Sequence, residues 1–168
     1  MLSTFFLNAF KPKFFFRLIV KHKAASCGNN LSVNVFSTVS RTTQLGNNVN
    51  FNGIKITGKG KCVIGNNFHS GTNCQILTDN HNYDQGNAIP YDNTCIAKDV
   101  VIEDNVWLGN NVIILPGVTI GEGAIIQAGS VVVKNIPALS IAGGNPAKPF
   151  KERDKEHYFE LKCKKAFH

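Results

Sequence analysis

The stretch that spans residues 96–136 reads IAKDVVIEDNVWLGNNVIILPGVTIGEGAIIQAGSVVVKNI. An aliphatic residue recurs in it every six positions, and four positions after each comes a second residue that is small or aliphatic. The first series consists of Ile96, Ile102, Leu108, Ile114, Ile120, Ile126 and Val132. The second series consists of Val100, Val106, Val112, Val118, Ala124, Ser130 and Ile136. A period of six fits neither an α-helix nor a simple alternating strand, so it predicts short strands separated by tight turns.

Three such six-residue units make one triangular coil, and stacked coils pair through parallel backbone hydrogen bonds. Gly and Asn between the aliphatic positions suit turns that need positive φ. The same spacing occurs earlier in another phase, at Ile64, Ser70 and Ile76, with Phe68 and Cys74 at the second position. Residues 45–49, LGNNV, look like a still earlier turn. The repeat therefore predicts a parallel solenoid whose aliphatic side chains stack into one core.

The repeat is interrupted between Ile76 and Ile96, where twenty residues replace the expected eighteen. This insertion begins TDNHNYD at residues 78–84 and also contains Gly and Pro, which predicts a loop projecting from the solenoid. It carries His81, whose imidazole can exchange a proton near neutral pH. From the residues alone, His81 is either a solvated, hydrogen-bonding side chain or a catalytic base. His69 occupies a turn position of the repeat and is expected to be structural.

Composition narrows the class of protein. The 168 residues are enough for one domain with a substantial core. Positive charge is concentrated at the two ends, since residues 39–147 carry six basic and seven acidic groups, which argues against a nucleic-acid-binding face. Five cysteines without a CxxC pair favour a reducing compartment. The sequence has no HxH or HxxxH motif and no cluster of carboxylates, so it predicts no metal site. It also has no GxSxG motif, so it does not predict a serine hydrolase.

The N-terminal stretch FFFRLIV, residues 14–20, is apolar but far shorter than the roughly 20 residues that span a bilayer. It also lacks the order of charged, apolar and small residues that marks a signal peptide. Two interpretations stay open. The favoured one is a helix that packs on its own domain or on a neighbouring subunit. The other is a basic amphipathic helix in weak contact with an anionic membrane surface.

Several motifs carry a resemblance to a known family. These are DNVWLG at 104–109, LPGVTIG at 115–121, AGSVV at 128–132 and AGGNPAK at 142–148. They resemble the hexapeptide acetyltransferases, and the last is similar to the final CoA-side loop of galactoside and maltose acetyltransferases. NHNYD, followed by IPYD at 89–92, is most similar to relatives of surface-polysaccharide O-acetylation. The resemblance covers residues 45–160.

This resemblance implies an all-β fold, a left-handed parallel β-helix of hexapeptide repeats. We expect three regions: an N-terminal basic and apolar helical segment at 1–38, the β-helix at 39–148 with a projecting loop at 78–95, and a C-terminal helix at 149–168. The family's trimers imply a homotrimer with an active site between each pair of subunits.

The resemblance also implies an activity, the transfer of an acetyl group from acetyl-CoA to a sugar hydroxyl, with His81 as general base and no metal. Trp107 matches a position near the reacting centre. The alternative interpretation of Trp107 is an apolar cap on the face of the solenoid. The remaining positions matched to acetyl-CoA are Asn110, Ala128 and Val133 along the pantetheine arm, with Lys148 and Lys151 at the phosphates.

On the acceptor side, the resemblance points to Asn50 or Asn52 without choosing between them, and to Asp84 in the loop. The basic, apolar N-terminus favours a lipid- or nucleotide-linked glycan as acceptor, in surface polysaccharide, O-antigen or capsule biosynthesis. The enzyme is then expected in the cytoplasm, at or near the inner membrane face. Two alternatives stay open: another acceptor such as an amino sugar, serine or an antibiotic hydroxyl, and a non-catalytic scaffold or carbonic-anhydrase-like metal trimer.

Overall fold

A computed structural model describes residues 12–168 as a parallel β-solenoid of about six coils, with one helix at each end. The all-β fold of hexapeptide repeats expected from the sequence is confirmed. Helix α1 spans Pro12–Lys23, and helix α2 spans Lys155–Cys163. Residues 1–11 of the expected N-terminal segment lie outside the described residues.

Each coil contributes strands to three faces of a triangular prism. The first face is a five-stranded sheet of β1 (Ser26–Cys27), β3 (Thr43–Leu45), β5 (Cys62–Ile64), β9 (Val100–Ile102) and β12 (Thr119–Ile120). The long strands β4 (Asn50–Thr57) and β6 (His69–Leu77) turn a corner and so belong to both other faces. Their first halves lie on the second face with β2 (Ser32–Val35), β10 (Trp107–Leu108), β13 (Ile125–Ile126) and β15 (Ser140–Gly144). Their second halves lie on the third face with β11 (Ile113–Ile114) and β14 (Val131–Val132).

The repeating aliphatic residues form the core, as the six-residue period predicts. From Ile102 to Val132, every member of the first series has an exposed fraction of 1 % or less. The second series, Val100 through Ile136, is also buried, as are Ser70 and Phe68 of the earlier phase. Asparagines at the corners adopt positive φ, as at Asn105 and Asn111. Their amide groups bond from coil to coil, for example Asn67 Nδ2 to Asn105 Oδ1 at 2.8 Å. These asparagine bonds tie the corners of adjacent coils together.

The expectation that Ile96 begins the core series is wrong. Ile96 is 40 % exposed and lies in strand β8 (Cys95–Ala97), outside the solenoid. The chain rejoins the coil only at Lys98, whose N–H donates to the carbonyl of Thr78 at 2.9 Å. The first inward residue after the insertion is therefore Val100, because the inserted segment pairs with itself rather than with the coils.

The first coil begins earlier than position 39. Strands β1 and β2 lie within the 1–38 segment, and β2 pairs in parallel with β4. Helix α1 packs beside this coil with Val20 fully buried, and its Phe16 ring meets Phe36 edge-on at 5.7 Å between centroids. The helix thus covers the open end of the apolar core, which a solenoid must protect from water.

The C-terminal end is held by a second helix. Strand β16 (Ala147–Glu152) turns back antiparallel to β15, and α2 then lies beside the coil corners. The carboxylate of Asp154 caps α2 by accepting from the N–H of His157 at 2.9 Å. Glu122, on the corner between the first and second faces, accepts hydrogen bonds from Tyr158 Oη at 2.8 Å and from Lys162. Burial alone raises the pKa of Glu122, but these bonds outweigh it and lower that pKa.

Candidate active site

His81 lies on an antiparallel hairpin that leaves the solenoid between its third and first faces. The hairpin consists of β7 (Asp79–His81) and β8, with His81 opposite Cys95. We call residues 78–98 the arm. The imidazole of His81 is exposed and stacks on the ring of Tyr91, with centroids 3.8 Å apart and planes 13° apart. This stacking fixes the plane of the imidazole while leaving its edge open to solvent.

The tip of the arm is ordered by a carboxylate. Asp92 accepts from the N–H and the hydroxyl of Thr94, and from the N–H of Asn87 at 3.0 Å. Hydrogen bonds from Thr94 and Asn87 lower the pKa of Asp92, so it stays ionised near neutral pH. Asp84, assigned to the acceptor side, is exposed in the same arm. The arm therefore presents His81 from an ordered hairpin rather than from an irregular loop.

A groove of about 570 Å³ runs along the second face of the solenoid. It brings together three of the residues assigned to acetyl-CoA, namely Trp107, Asn110 and Ala128, and Asn52 from the acceptor side. The remaining lining consists of His69, Gly71, Thr72, Gly109, Ile125, Ile126, Gln127, Ile141 and Phe150. The side chain of Asn110 is engaged with the coil below, since its Oδ1 accepts from the N–H of Thr72 at 2.9 Å. Trp107 is 51 % exposed and forms one wall.

Three other assigned residues lie outside this lining. Val133 is 39 % exposed and follows β14 on the third face. Lys148 and Lys151 are exposed on β16, whose Phe150 lines the groove. The two lysines thus lie at the C-terminal end of the groove, where they add positive charge.

A second cavity, of about 440 Å³, lies between the second face and the C-terminal segment. Asn50 lines it, together with Asn67, Phe68, Asn105, Arg153, Tyr158, Leu161, Lys162, Ala166, Phe167 and His168. Trp107 and His69 line both this cavity and the groove, so the two spaces share a wall. The cavity contains aromatic rings and amide groups, but no Asp or Glu is among its lining residues.

Asn50 and Asn52 belong to one hydrogen-bonded set. Asn34 Nδ2 donates to Asn50 Oδ1 at 3.0 Å and to Asn52 Oδ1 at 3.1 Å. The two asparagines nevertheless face different spaces. Asn50 lines the cavity, and Asn52 lines the groove.

His69 was missed by the sequence reasoning. It lies in strand β6 rather than in a turn, between Asn50 and Trp107 in the register of the second face. Burial and the nearby His168 imidazole lower the pKa of His69. Its outward position directly before the inward Ser70 could have been found from the repeat, because residues before an inward position face outward on a strand.

In the described part of the chain, neither the two buried thiols nor a cluster of metal-ligating side chains offers an alternative chemistry. Burial raises the pKa of the Cys62 thiol to about 12 and also raises that of Cys74, so neither is a ready nucleophile. Within residues 12–168, no group of three or more His, Cys, Asp or Glu side chains is arranged to hold a metal ion. Over the same residues, no helix is both long and apolar enough to cross a membrane.

Comparison with known proteins places the repeat in a family. The family model described as bacterial transferase hexapeptide (six repeats) matches residues 99–134. The repeat at residues 99–134 is thus similar to the hexapeptide repeats of bacterial transferases. No curated protein matches this hexapeptide-repeat chain in sequence.

Solved structures resemble the hexapeptide-repeat chain over most of its length. A galactoside acetyltransferase in complex with coenzyme A is 29 % identical, with a TM-score of 0.72 over 82 % of this chain and 70 % of that one. A hexapeptide-repeat acetyltransferase from Vibrio cholerae O1 biovar eltor, complexed with acetyl-coenzyme A, is 28 % identical, with a TM-score of 0.67 over 84 % and 76 %. A maltose O-acetyltransferase from Clostridium difficile 630 is 29 % identical, with a TM-score of 0.65 over 84 % and 74 %.

Proposed function

We propose that the protein is an acetyl-CoA-dependent O-acetyltransferase that acts on a sugar hydroxyl. The observation that carries this proposal is the groove on the second face, in a fold whose neighbours include complexes with coenzyme A and acetyl-coenzyme A. Ile125, Ile141 and Phe150 give the groove an apolar wall that suits a pantetheine arm. Lys148 and Lys151, exposed on the same strand as Phe150, are proposed to meet the CoA phosphates. Backbone and small side chains at Gly109 and Ala128 leave room for close approach.

The proposed reaction needs a base rather than a protein nucleophile. His81 takes the proton of the acceptor hydroxyl while that oxygen attacks the thioester carbonyl, and the carbon–sulfur bond then breaks. The resulting imidazolium returns the proton to the CoA thiolate, so the products are an acetyl ester and free CoA. A positioned imidazole typically contributes about 10²–10⁴-fold to such a step. Holding both substrates together supplies much of the remaining acceleration.

The acceptor is proposed to bind on the Asn50 side of Trp107. Amide groups at Asn50 and Asn67 can hydrogen-bond hydroxyls, and the rings of Trp107 and Phe167 offer faces for sugar carbons. Asp84 on the arm is a further group proposed to meet the acceptor.

We propose a role in surface polysaccharide, O-antigen or capsule biosynthesis, with a lipid- or nucleotide-linked glycan as the acceptor. The five cysteines are unpaired, which fits a reducing, cytoplasmic location. Helix α1 exposes Phe14, Leu18 and Ile19, each by more than 40 %, close to Lys13 and Arg17. Such a surface supports weak contact with an anionic inner membrane face, where a lipid-linked precursor would be found.

The activity is tested by incubating purified protein with acetyl-CoA and a panel of sugars, and by measuring release of free thiol. An O-acetyl product should appear by mass spectrometry and should be removed by mild base. A product that resists mild base would be an amide and would move the proposal to an amino-sugar acceptor. If acetyl-CoA neither binds nor reacts with any sugar, the non-catalytic scaffold is the better proposal.

The oligomer proposed from the resemblance is a homotrimer with sites between subunits. The arm leaves the solenoid between the third and first faces, whereas Trp107 lies on the second face. His81 is also absent from the residues that line the groove and the cavity. A site that uses both His81 and Trp107 therefore requires the arm of one subunit to reach the second face of the next.

We expect complementation between two inactive variants. Trimers assembled from equal amounts of His81→Ala and Trp107→Ala chains should recover about a quarter of the wild-type sites, because each interface then pairs an intact arm with an intact face once in four. The measurement is thiol release by refolded or co-expressed mixtures, compared with each variant alone. Mixed trimers no more active than the separate variants would show that the two residues act in the same subunit.

A further inference from the structure

His69 stands at the centre of the second face. In the parallel register, its strand neighbours are Asn50 on one side and Trp107 on the other. Its side chain is half-buried and lines both the groove and the cavity. A residue at this shared wall can contact a ligand in either space.

The hydrogen bonds around His69 fix where its ring carries a proton. Asn52 Nδ2 lies 2.7 Å from the carbonyl oxygen of Ser70, which can only accept, so this atom of Asn52 is the amide nitrogen. Asn52 Oδ1 in turn accepts from Asn34 Nδ2. The amide nitrogen of Asn52 is also 3.3 Å from His69 Nε2, and since an amide nitrogen only donates, Nε2 must accept. The neutral ring therefore carries its proton on Nδ1.

The Nδ1–H group is available to a ligand. Among residues 12–168, the only hydrogen bond of the imidazole is the one from Asn52, and its other ring contact is His168, 6.4 Å away between centroids. Burial and the charge that His168 can carry both disfavour the imidazolium. The other charged side chains that line this cavity are Arg153, which lies over the Tyr158 ring, and Lys162, which pairs with Glu122. Near neutral pH, His69 is thus a neutral donor with a fixed tautomer.

We propose that His69 is an acceptor-binding residue, whose Nδ1–H donates to an oxygen of the acceptor sugar while Asn52 holds the ring in that tautomer. This inference rests on the proposed function and adds the residue that selects the acceptor. The fixed donor requires an oxygen, either a hydroxyl or a ring oxygen, at the point where the sugar meets the wall beside Trp107. A group that only donates at this position, such as an ammonium, is disfavoured.

The kinetic test uses His69→Leu, which removes the donor, and His69→Gln, which restores a neutral one. Maltose and methyl β-D-galactoside are the probes, and the better substrate of the two is used. We expect His69→Leu to lower kcat/KM for the sugar about tenfold, the effect of losing one hydrogen bond. The KM for acetyl-CoA should stay unchanged, and His69→Gln should recover most of the loss.

A second measurement does not depend on turnover. Histidine labelled with ¹⁵N reports which ring nitrogen carries the proton, and the signal that disappears in His69→Gln identifies His69. We expect a neutral Nδ1–H ring at pH 7, and a change in its shifts when sugar is added to protein saturated with CoA. A proton found on Nε2 would overturn the inference whichever sugar is used. The inference would also fail, with the proposed function intact, if wild-type protein acetylated the sugar and His69→Leu did so with equal kcat/KM.

Discussion

Replacing His81 with alanine should lower kcat by about 10²–10⁴-fold, the usual contribution of a positioned general base. The imidazole is exposed and stacked on Tyr91, and its loss removes no buried contact. Folding and assembly should therefore be unchanged, as judged by circular dichroism and by size-exclusion chromatography. Affinity for acetyl-CoA should also be kept, because the groove of the second face is not lined by His81. Thiol release at saturating acetyl-CoA and saturating sugar gives kcat directly.

Two comparisons make this result specific to a base. His157→Ala removes another exposed imidazole, on helix α2 and outside the cavity lining, and should leave kcat unchanged. Free imidazole added to the His81→Ala protein should restore part of the lost rate, since a small base can then enter the vacated space. A His81→Ala protein that turns over within a few-fold of wild type would require another group to take the proton.

The second large effect is expected in the core. Ile114→Ala should lower the free energy of unfolding by about 2–5 kcal/mol, because a buried isoleucine leaves a cavity that the stacked coils cannot close. Ile114 is fully buried and pairs with Ile76 and Val132 in the coils on either side. The measurement is urea-induced unfolding followed by circular dichroism, at one protein concentration.

The chain offers a matched control at the preceding position. Ile113 has the same side chain on the same strand, but it faces outward and is half-exposed. Ile113→Ala should cost about 1 kcal/mol or less, because less apolar area is returned to water. Equal losses in the two variants would contradict the assignment of inward and outward positions on this face.

The fold could be predicted where the type of each residue determines whether its side chain faces the core or the solvent. From Ile102 to Val132, one inward aliphatic residue is required at every sixth position, and the sequence obeys this rule without exception. Ile96 obeys the same spacing by coincidence. It belongs to a hairpin that pairs with itself, and spacing alone carries no information about which strand a residue pairs with.

The first coil was missed for a different reason. Leu31 and Val33 are buried, but the residues around them are mainly Asn and Ser, and a basic helix precedes them. In this part of the chain, the buried residues repeat only at the spacing of one whole coil, since Val33 pairs with Phe51 on the second face. A comparison of the sequence with itself at a spacing of eighteen would have aligned Leu31 with Val49 and Val33 with Phe51.

Part of the groove's lining was predictable from the sequence, but the arrangement of the candidate site was not. Trp107, Asn110 and Ala128 share one groove because their strands stack in register, which follows from the repeat. That His69 shares its wall follows from the same register. The hydrogen bond that sets its tautomer depends on side-chain rotamers three coils from the N-terminal end, and no pattern of residue types specifies those.

The arm leaves and rejoins the solenoid at one place, so the structure of the arm is largely independent of the structure of the coils. The N–H of Thr78 donates to the carbonyl of Thr57, and the carbonyl of Thr78 accepts from Lys98, so the coil closes across the insertion as if it were absent. Asp79 still contacts the coil, since its carboxylate accepts from the N–H of Lys59 at 3.0 Å. Residues 80–97 can therefore lengthen, shorten or change sequence without disturbing the register of any coil. An exchange of the arm that keeps His81 is therefore expected to alter the acceptor while the groove on the second face stays as it is.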